Sequence, residues 1–128
     1  MKLLLDTHAF LWFVLDDPKL TLPARRAIES ASNEVCISPA SHSEIAIKMS
    51  LGKYRLNGSS EGFWDTGSQK NDIAVLPIEV HHAARLAIMP FHHKDPSDWM
   101  LVAQALAEHV TLVSADPRLD AYGVSRLW

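Results

Sequence analysis

Cysteine is nearly absent, and Cys36 is the only one in the chain. A single thiol excludes a disulfide-stapled scaffold, and its place in the apolar run Glu34-Val-Cys-Ile-Ser38 reads as a small buried hydrophobe. Long apolar runs are missing as well. Leu3-Leu4-Leu5 is cut by Asp6, and Phe10 to Leu15 by Asp16-Asp17, so neither makes a signal-peptide core or a membrane span. With one free thiol and no export signal, the expected location is a reducing cytoplasm. No excess of positive charge is present: twelve Lys and Arg against fifteen Asp and Glu leave a formal charge of -3. The chain as a whole does not attract a polyanion, so nucleic-acid contact requires a local basic patch and a cation to offset the acids. Repeats, low-complexity segments, a P-loop, Gly-x-Gly-x-x-Gly, Gly-x-Ser-x-Gly and HExxH are all absent, which leaves nucleotide-fold, nucleophile-elbow and zincin readings without support.

What is present fits one globular domain over residues 1–128, with 48% hydrophobic and 21% charged residues, enough for a sizeable core. Lys2 to Leu5 predict a buried strand, and a first helix runs from about His8 to Leu15 before Asp-Asp-Pro stops it. Thr21 caps a second helix, with Pro23 in its first turn and Ala24, Ala27, Ile28 and Ala31 as the inward stripe. A strand follows over Glu34 to Ser38. Ser38-Pro39 then opens a helix reaching about Leu51, ahead of Gly52. A helix over Glu61 to Asn71 is weakened by Gly62 and Gly67. Next come a strand over Ile73 to Ile78 and a helix over about Glu79 to Ile88. The stretch HHKDPSDWMLVAQALAEHVTLVSAD forms a helix and a strand with acids at both ends, and Val124 to Trp128 make a short edge strand. Such alternation predicts an α/β fold whose mainly parallel sheet is covered by helices on both faces.

Four carboxylates are placed to converge. Asp6 ends the first strand, Asp116 follows the fourth, Glu44 lies early in the helix after the second, and Asp98 opens the helix before the fourth. In a parallel α/β unit the helix start and the strand end fall on the same sheet edge, which is where ligands bind. Adjacent strand ends lie about 4.8 Å apart, so an uncompensated cluster would repel itself. Oxygen ligands without paired His or Cys favour Mg²⁺ or Mn²⁺ over zinc, and the matching chemistry is metal-assisted hydrolysis of a phosphodiester. Each acid also has an ordinary role open to it: Asp6, Asp98 and Asp116 suit caps and turns, Glu44 suits a solvated helix face, and Asp95 before Pro96 fits a turn.

The segments LLLDTHAFLW, SEIAIK, HHKDPSDWMLVAQA and TLVSADPRLDAYGV, with the terminal Trp128, resemble PIN-domain ribonucleases, and more narrowly the VapC toxins of bacterial toxin-antitoxin pairs. The resemblance spans essentially the whole chain. It implies a three-layer α/β/α sandwich, an Mg²⁺- or Mn²⁺-dependent endoribonuclease, a cognate antitoxin of VapB type and a homodimer. The family's acidic quartet falls on Asp6, Glu44, Asp98 and Asp116, and its Ser/Thr position on Ser114. Thr7 is placed to orient Asp6 or to cap the first helix, and Asp95 to support the site from behind. Relatives of this pattern usually carry Phe at Ser97, Arg at Trp99 and often Trp at Ser43, so the chain departs from them there.

Lys48, Lys53 and Arg55 form a small cationic cluster suited either to an RNA backbone or to a solvated face. Leu11, Trp12 and Phe13 are apolar on more than one helix face, which fits core packing on one side and a protein contact on the other. The pairs His81-His82 and His92-His93 point their rings apart and lack companion ligands, so no zinc site is expected; His8 serves locally or reaches toward substrate. Two rival functions are a phosphoaspartyl hydrolase or receiver-like domain using Asp6 as acceptor, and a catalytically silent PIN-like module that binds RNA or protein.

Overall fold

A computed structural model describes all residues from Met1 to Trp128. Five parallel strands, β1 (Lys2–Leu5), β2 (Glu34–Ile37), β3 (Ala74–Val75), β4 (Thr111–Val113) and β5 (Arg126–Leu127), form one sheet in the order β3-β2-β1-β4-β5. Six α-helices connect them: α1 (Thr7–Val14), α2 (Leu22–Glu29), α3 (Pro39–Ser50), α4 (Ser60–Lys70), α5 (Val80–Arg85) and α6 (Pro96–Glu108). The architecture is the α/β/α sandwich expected from the alternation of elements.

Strand alternation divides the core. Leu3 and Leu5 pack with Phe10, Leu11, Ile28, Ile45 and Trp64 on the face covered by α1 to α4. Leu4 points the other way and packs with Cys36, Leu101, Val102 and Leu112, on the face covered by α6. β1 is the central strand, and its three leucines are fully buried. Leu5 pairs with Val113, and the next amide, Asp6 N–H, donates to the Val113 carbonyl at 3.0 Å. That register aligns the carboxyl ends of β1 and β4.

Polar punctuation sets the helix starts. Thr21 accepts from the Ala24 amide, Ser38 from Ala40 and Ser59 from Gly62, each leaving fewer unpaired N–H groups at a helix start. In α2, Ala24 and Ile28 are buried and Ala27 half-buried, but Ala31 lies beyond the helix and is exposed. The third strand is shorter than the apolar run Ile73 to Ile78: after Val75 the Leu76 amide still reaches the Ile37 carbonyl, and Pro77 then has no N–H to continue. The helix expected to run to Ile88 ends at Arg85 and loosens into turns. A 3-10 helix over Pro117–Tyr122, which strand and helix periodicity do not reveal, connects β4 to β5.

Gly67 does not break α4; it lets α4 lie against α1. A Cβ at this position would sit 2.9 Å from Val14 Cγ2 and 3.2 Å from Phe10 Cζ. Gly67→Leu should therefore lower stability by about 2 kcal/mol through overpacking, although leucine is the better helix former. A urea midpoint equal to or above that of the parent protein would refute this account of the α1–α4 contact.

Candidate functional site

Asp6 stands at the end of the central strand and caps α1, its Oδ1 accepting from the Ala9 amide at 2.8 Å. Only 6% of the residue is exposed. Burial pushes its carboxyl up to about 6, partly opposed by hydrogen bonds from the Ser114 hydroxyl and the Ala9 amide; Glu44 and Asp116 push it up further by repulsion. No Lys, Arg or His forms an ion pair with it.

The other acids arrive from three elements. Asp98 sits in the first turn of α6, where the Asp95 cap accepts from the Asp98 amide at 3.2 Å. Its carboxyl is also pushed up to about 6, chiefly by burial, against a hydrogen bond from His93 and with added repulsion from Asp95 and Asp6. Asp116 follows β4 and caps the 3-10 helix. Arg118 holds both of its oxygens, with contacts of 2.7 to 3.1 Å, and lowers its pKa. Glu44, on α3, accepts from Lys48 Nζ at 3.1 Å through Oε2 and from the Thr7 hydroxyl at 3.4 Å through Oε1.

The supporting groups are distributed differently from the sequence expectation. Thr7 does not orient Asp6: as the first helical residue its hydroxyl points toward α3, 3.0 Å from the Ser41 hydroxyl and 3.4 Å from Glu44 Oε1. Ser114 has two contacts: its hydroxyl bonds Asp6, and its oxygen accepts from the Asp116 amide at 3.1 Å. Asp95 is the cap that fixes the Asp98 backbone. Lys48 is engaged by Glu44 and the Tyr54 hydroxyl, while Lys53 and Arg55 are exposed and join no ion pair. His8 is local, meeting the Tyr54 hydroxyl at 3.2 Å and stacking on Trp12. A cleft lined by Glu44, Ile47, Lys48, Asp95, Pro96 and Ser97 runs between α3 and the start of α6.

Sequence reasoning missed Arg118 and His93. His93 Nε2 lies 3.0 Å from Asp98 Oδ2, and a ligand atom from each of His93, Asp98 and Asp116 falls within 4.8 Å of the others. The His93 ring is anchored, with Nδ1 2.8 Å from the Tyr122 hydroxyl. Trp99 explains part of that placement: its indole N–H donates to the His93 carbonyl at 2.8 Å while its ring stacks on Phe91 at 3.9 Å. A second His-rich cluster, His81, His82 and Glu108, lies apart from these acids.

The donor set suits a hard divalent cation. Oxygens predominate, and the most buried of them, on Asp6, lacks a cationic partner although three further acids press on the same region.

A PIN-domain family model matches residues 3–124. Among solved structures, a chain of VapBC2 from Rickettsia felis bound to a DNA fragment from their promoter superposes with a TM-score of 0.73 at 12% identity, covering 99% of this chain and 98% of that one. VapBC-1 from nontypeable Haemophilus influenzae gives 0.67 at 15%, covering 99% and 97%. FitAcB from Neisseria gonorrhoeae gives 0.67 at 18%, covering 98% and 96%. No curated protein matches the chain.

The raised Asp6 carboxyl fixes the sign of a pH effect. Between its ordinary value of 3.8 and about 6 the native state binds more protons at Asp6 than the unfolded chain does, so this residue's contribution to stability falls as pH rises through that window. At about 1.4 kcal/mol per pH unit the ceiling is about 3 kcal/mol. Asp116, held low by Arg118, runs the opposite way. Asn caps a helix as well as Asp does. In EDTA, Asp6→Asn should raise the melting temperature at pH 7.5 by about 4 °C or more and converge with the parent near pH 4. A melting temperature unchanged at pH 7.5 would show that Asp6 is not strained.

Proposed function

Because the chain belongs to the PIN-domain family, we propose that it is a divalent-metal-dependent endoribonuclease, the toxin of a VapBC-type toxin-antitoxin pair. Members of the family are usually nucleases, which makes phosphodiester hydrolysis the reaction class. The observation that carries the reading is the buried, cation-free Asp6 at the carboxyl edge of the sheet, under repulsion from Glu44 and Asp116. Asp6, Glu44, Asp98 and Asp116 are the residues assigned to catalysis and to holding Mg²⁺ or Mn²⁺.

Bound there, such an ion supplies Lewis acidity toward a phosphate oxygen and a water nucleophile. The chain's own groups do the rest. Lys48 pairs with one oxygen of Glu44, and the Thr7 hydroxyl stands beside the other. Ser114 ties Asp6 to the backbone of Asp116, holding the ends of β1 and β4 in register. Arg118 is well exposed, so its guanidinium is free to exchange Asp116 for an incoming phosphate, which offers the same bidentate geometry. That cation compensates for the Arg expected at the Trp99 position. Lys53 and Arg55, exposed after α3, extend a positive track for the RNA backbone.

The neighbours named VapBC and FitAB, several bound to DNA, support a protein antitoxin as partner. An antitoxin segment over the cleft beside Glu44 would also cover Ile47 and Leu51, which are 56% and 63% exposed. Val80, Ile88 and Phe91, exposed in and after α5, are the apolar side chains assigned to a second copy in a homodimer. No helix is long and apolar enough to cross a membrane, which accords with action on cytoplasmic RNA.

The decisive assay incubates purified, antitoxin-free protein with structured RNAs. Cleavage should require Mg²⁺ or Mn²⁺, stop in EDTA, and fall at least about a hundredfold in Asp6→Asn and Asp98→Asn, as losses of charge at a reacting centre do. Cleavage that survives EDTA or Asp6→Asn would sink the proposal. In the same assay, Lys53→Ala and Arg55→Ala should each raise KM and flatten the salt dependence of binding by about one in log-log slope; an unaltered slope would remove them from the RNA track.

A further inference from the structure

His93 sits where a ligand would sit, not where a surface histidine would. Its side chain is only 4% exposed, and both ring nitrogens have partners: Tyr122 at Nδ1, Asp98 at Nε2. We propose that His93 Nε2 is a nitrogen ligand of the metal centre, completing a His93–Asp98–Asp116 face and tuning the site toward Mn²⁺ over Mg²⁺. The proposal rests on the reading of the acid pocket as a divalent-metal site and goes one step beyond it.

Three observations carry it. The 3.0 Å between His93 Nε2 and Asp98 Oδ2 is about the separation of two neighbouring ligands on an octahedral ion with bonds near 2.1 Å. Asp116 offers an oxygen within 4.8 Å of both atoms. The Tyr122 hydroxyl, 2.8 Å from Nδ1, is the outer partner that ligating imidazoles require, and it suits either tautomer. With Tyr122 O–H donating to Nδ1, Nε2–H donates to Asp98. With Nδ1–H donating to the phenol oxygen, Nε2 is left with a free lone pair beside Asp98 and within reach of Asp116.

The exchange takes place within a rigid frame. Tyr122 closes the 3-10 helix that Asp116 opens, and its oxygen also accepts from the His92 amide at 2.9 Å. The Trp99 indole pins the His93 carbonyl from the α6 side. His93 therefore links the two elements that deliver Asp98 and Asp116. Imidazole nitrogen binds d-block ions well and Mg²⁺ poorly, so one such ligand in an oxygen set shifts selectivity without abolishing Mg²⁺ binding.

The test uses untagged full-length protein with Mn²⁺ alone, followed by calorimetry and pulsed electron paramagnetic resonance. The parent should show ¹⁴N modulation from one imidazole. In His93→Gln that modulation should vanish and the Kd for Mn²⁺ should rise about tenfold or more, while the Kd for Mg²⁺ changes much less. If His93→Gln fails to fold, histidine-selective ¹⁵N labelling of the parent must replace the ¹⁴N coupling with ¹⁵N. Mn²⁺ binding without histidine coupling, or with the same coupling in His93→Gln, overturns the proposal and leaves the acid-pocket reading standing. Absence of any Mn²⁺ site in the parent overturns both.

Discussion

The structure depends on a carboxylate it does not neutralise. β1 is the central strand, flanked by β2 and β4, so its carboxyl end opens into protein on both sides and water reaches Asp6 poorly. The N-terminus of α1 and the Ser114 hydroxyl relieve part of the cost of that burial, the first through aligned amides and the second through a hydrogen bond. Neither supplies a full charge. The peripheral acids are treated differently: Lys48 serves Glu44, and Arg118 serves Asp116. Positive charge thus stands against Glu44 and Asp116 and not against Asp6.

This division of labour follows from topology. β1 and β4 are neighbours, and the α6–β4 unit returns its helix start to the same edge as its strand end. Asp6 and Ser114 are thus brought together by strand register, whereas Asp98 depends on the Asp95 cap to fix where α6 begins. Moving that start by one residue would rotate Asp98 about 100° around the helix and away from the pocket. Asp95-Pro96 is therefore part of the site's construction even though its carboxylate stays behind Asp98.

The sequence disclosed what depends on local rules. Apolar strands ending in acids, Ser38-Pro39 opening a helix and Thr21 capping another are short-range chemistry, and each is legible without coordinates. β3 misleads because six apolar residues look like a strand, while only Ala74 and Val75 are in the strand and the last ladder bond, from the Leu76 amide, comes just before Pro77. The 3-10 helix is hidden because Pro117 to Tyr122 carries turn residues with no periodic apolar face. His93 was invisible for another reason: its Tyr122 partner lies 29 residues away, and adjacent histidines give no sign of which ring turns inward. Its spacing of five residues before Asp98 was the available clue. Trp99 reads from sequence as a lost arginine, yet in the fold its indole holds the loop that carries His93.

The two histidine clusters show why residue type alone does not identify a ligand. His82 is completely buried, with Nδ1 accepting from the Glu79 amide and Nε2 2.8 Å from Glu108. A backbone amide can only donate, so Nδ1 must be the acceptor and Nε2 must carry the proton that Glu108 receives. Its tautomer is fixed and no lone pair remains; the residue serves to tie the start of α5 to the end of α6. His93 is partnered instead by a hydroxyl, which donates or accepts, and by a carboxylate that gains from sharing a cation. One imidazole is locked by its backbone partner and the other is left convertible by its hydroxyl partner. That difference in the partner on Nδ1 fixes the tautomer of His82 and leaves that of His93 free to change.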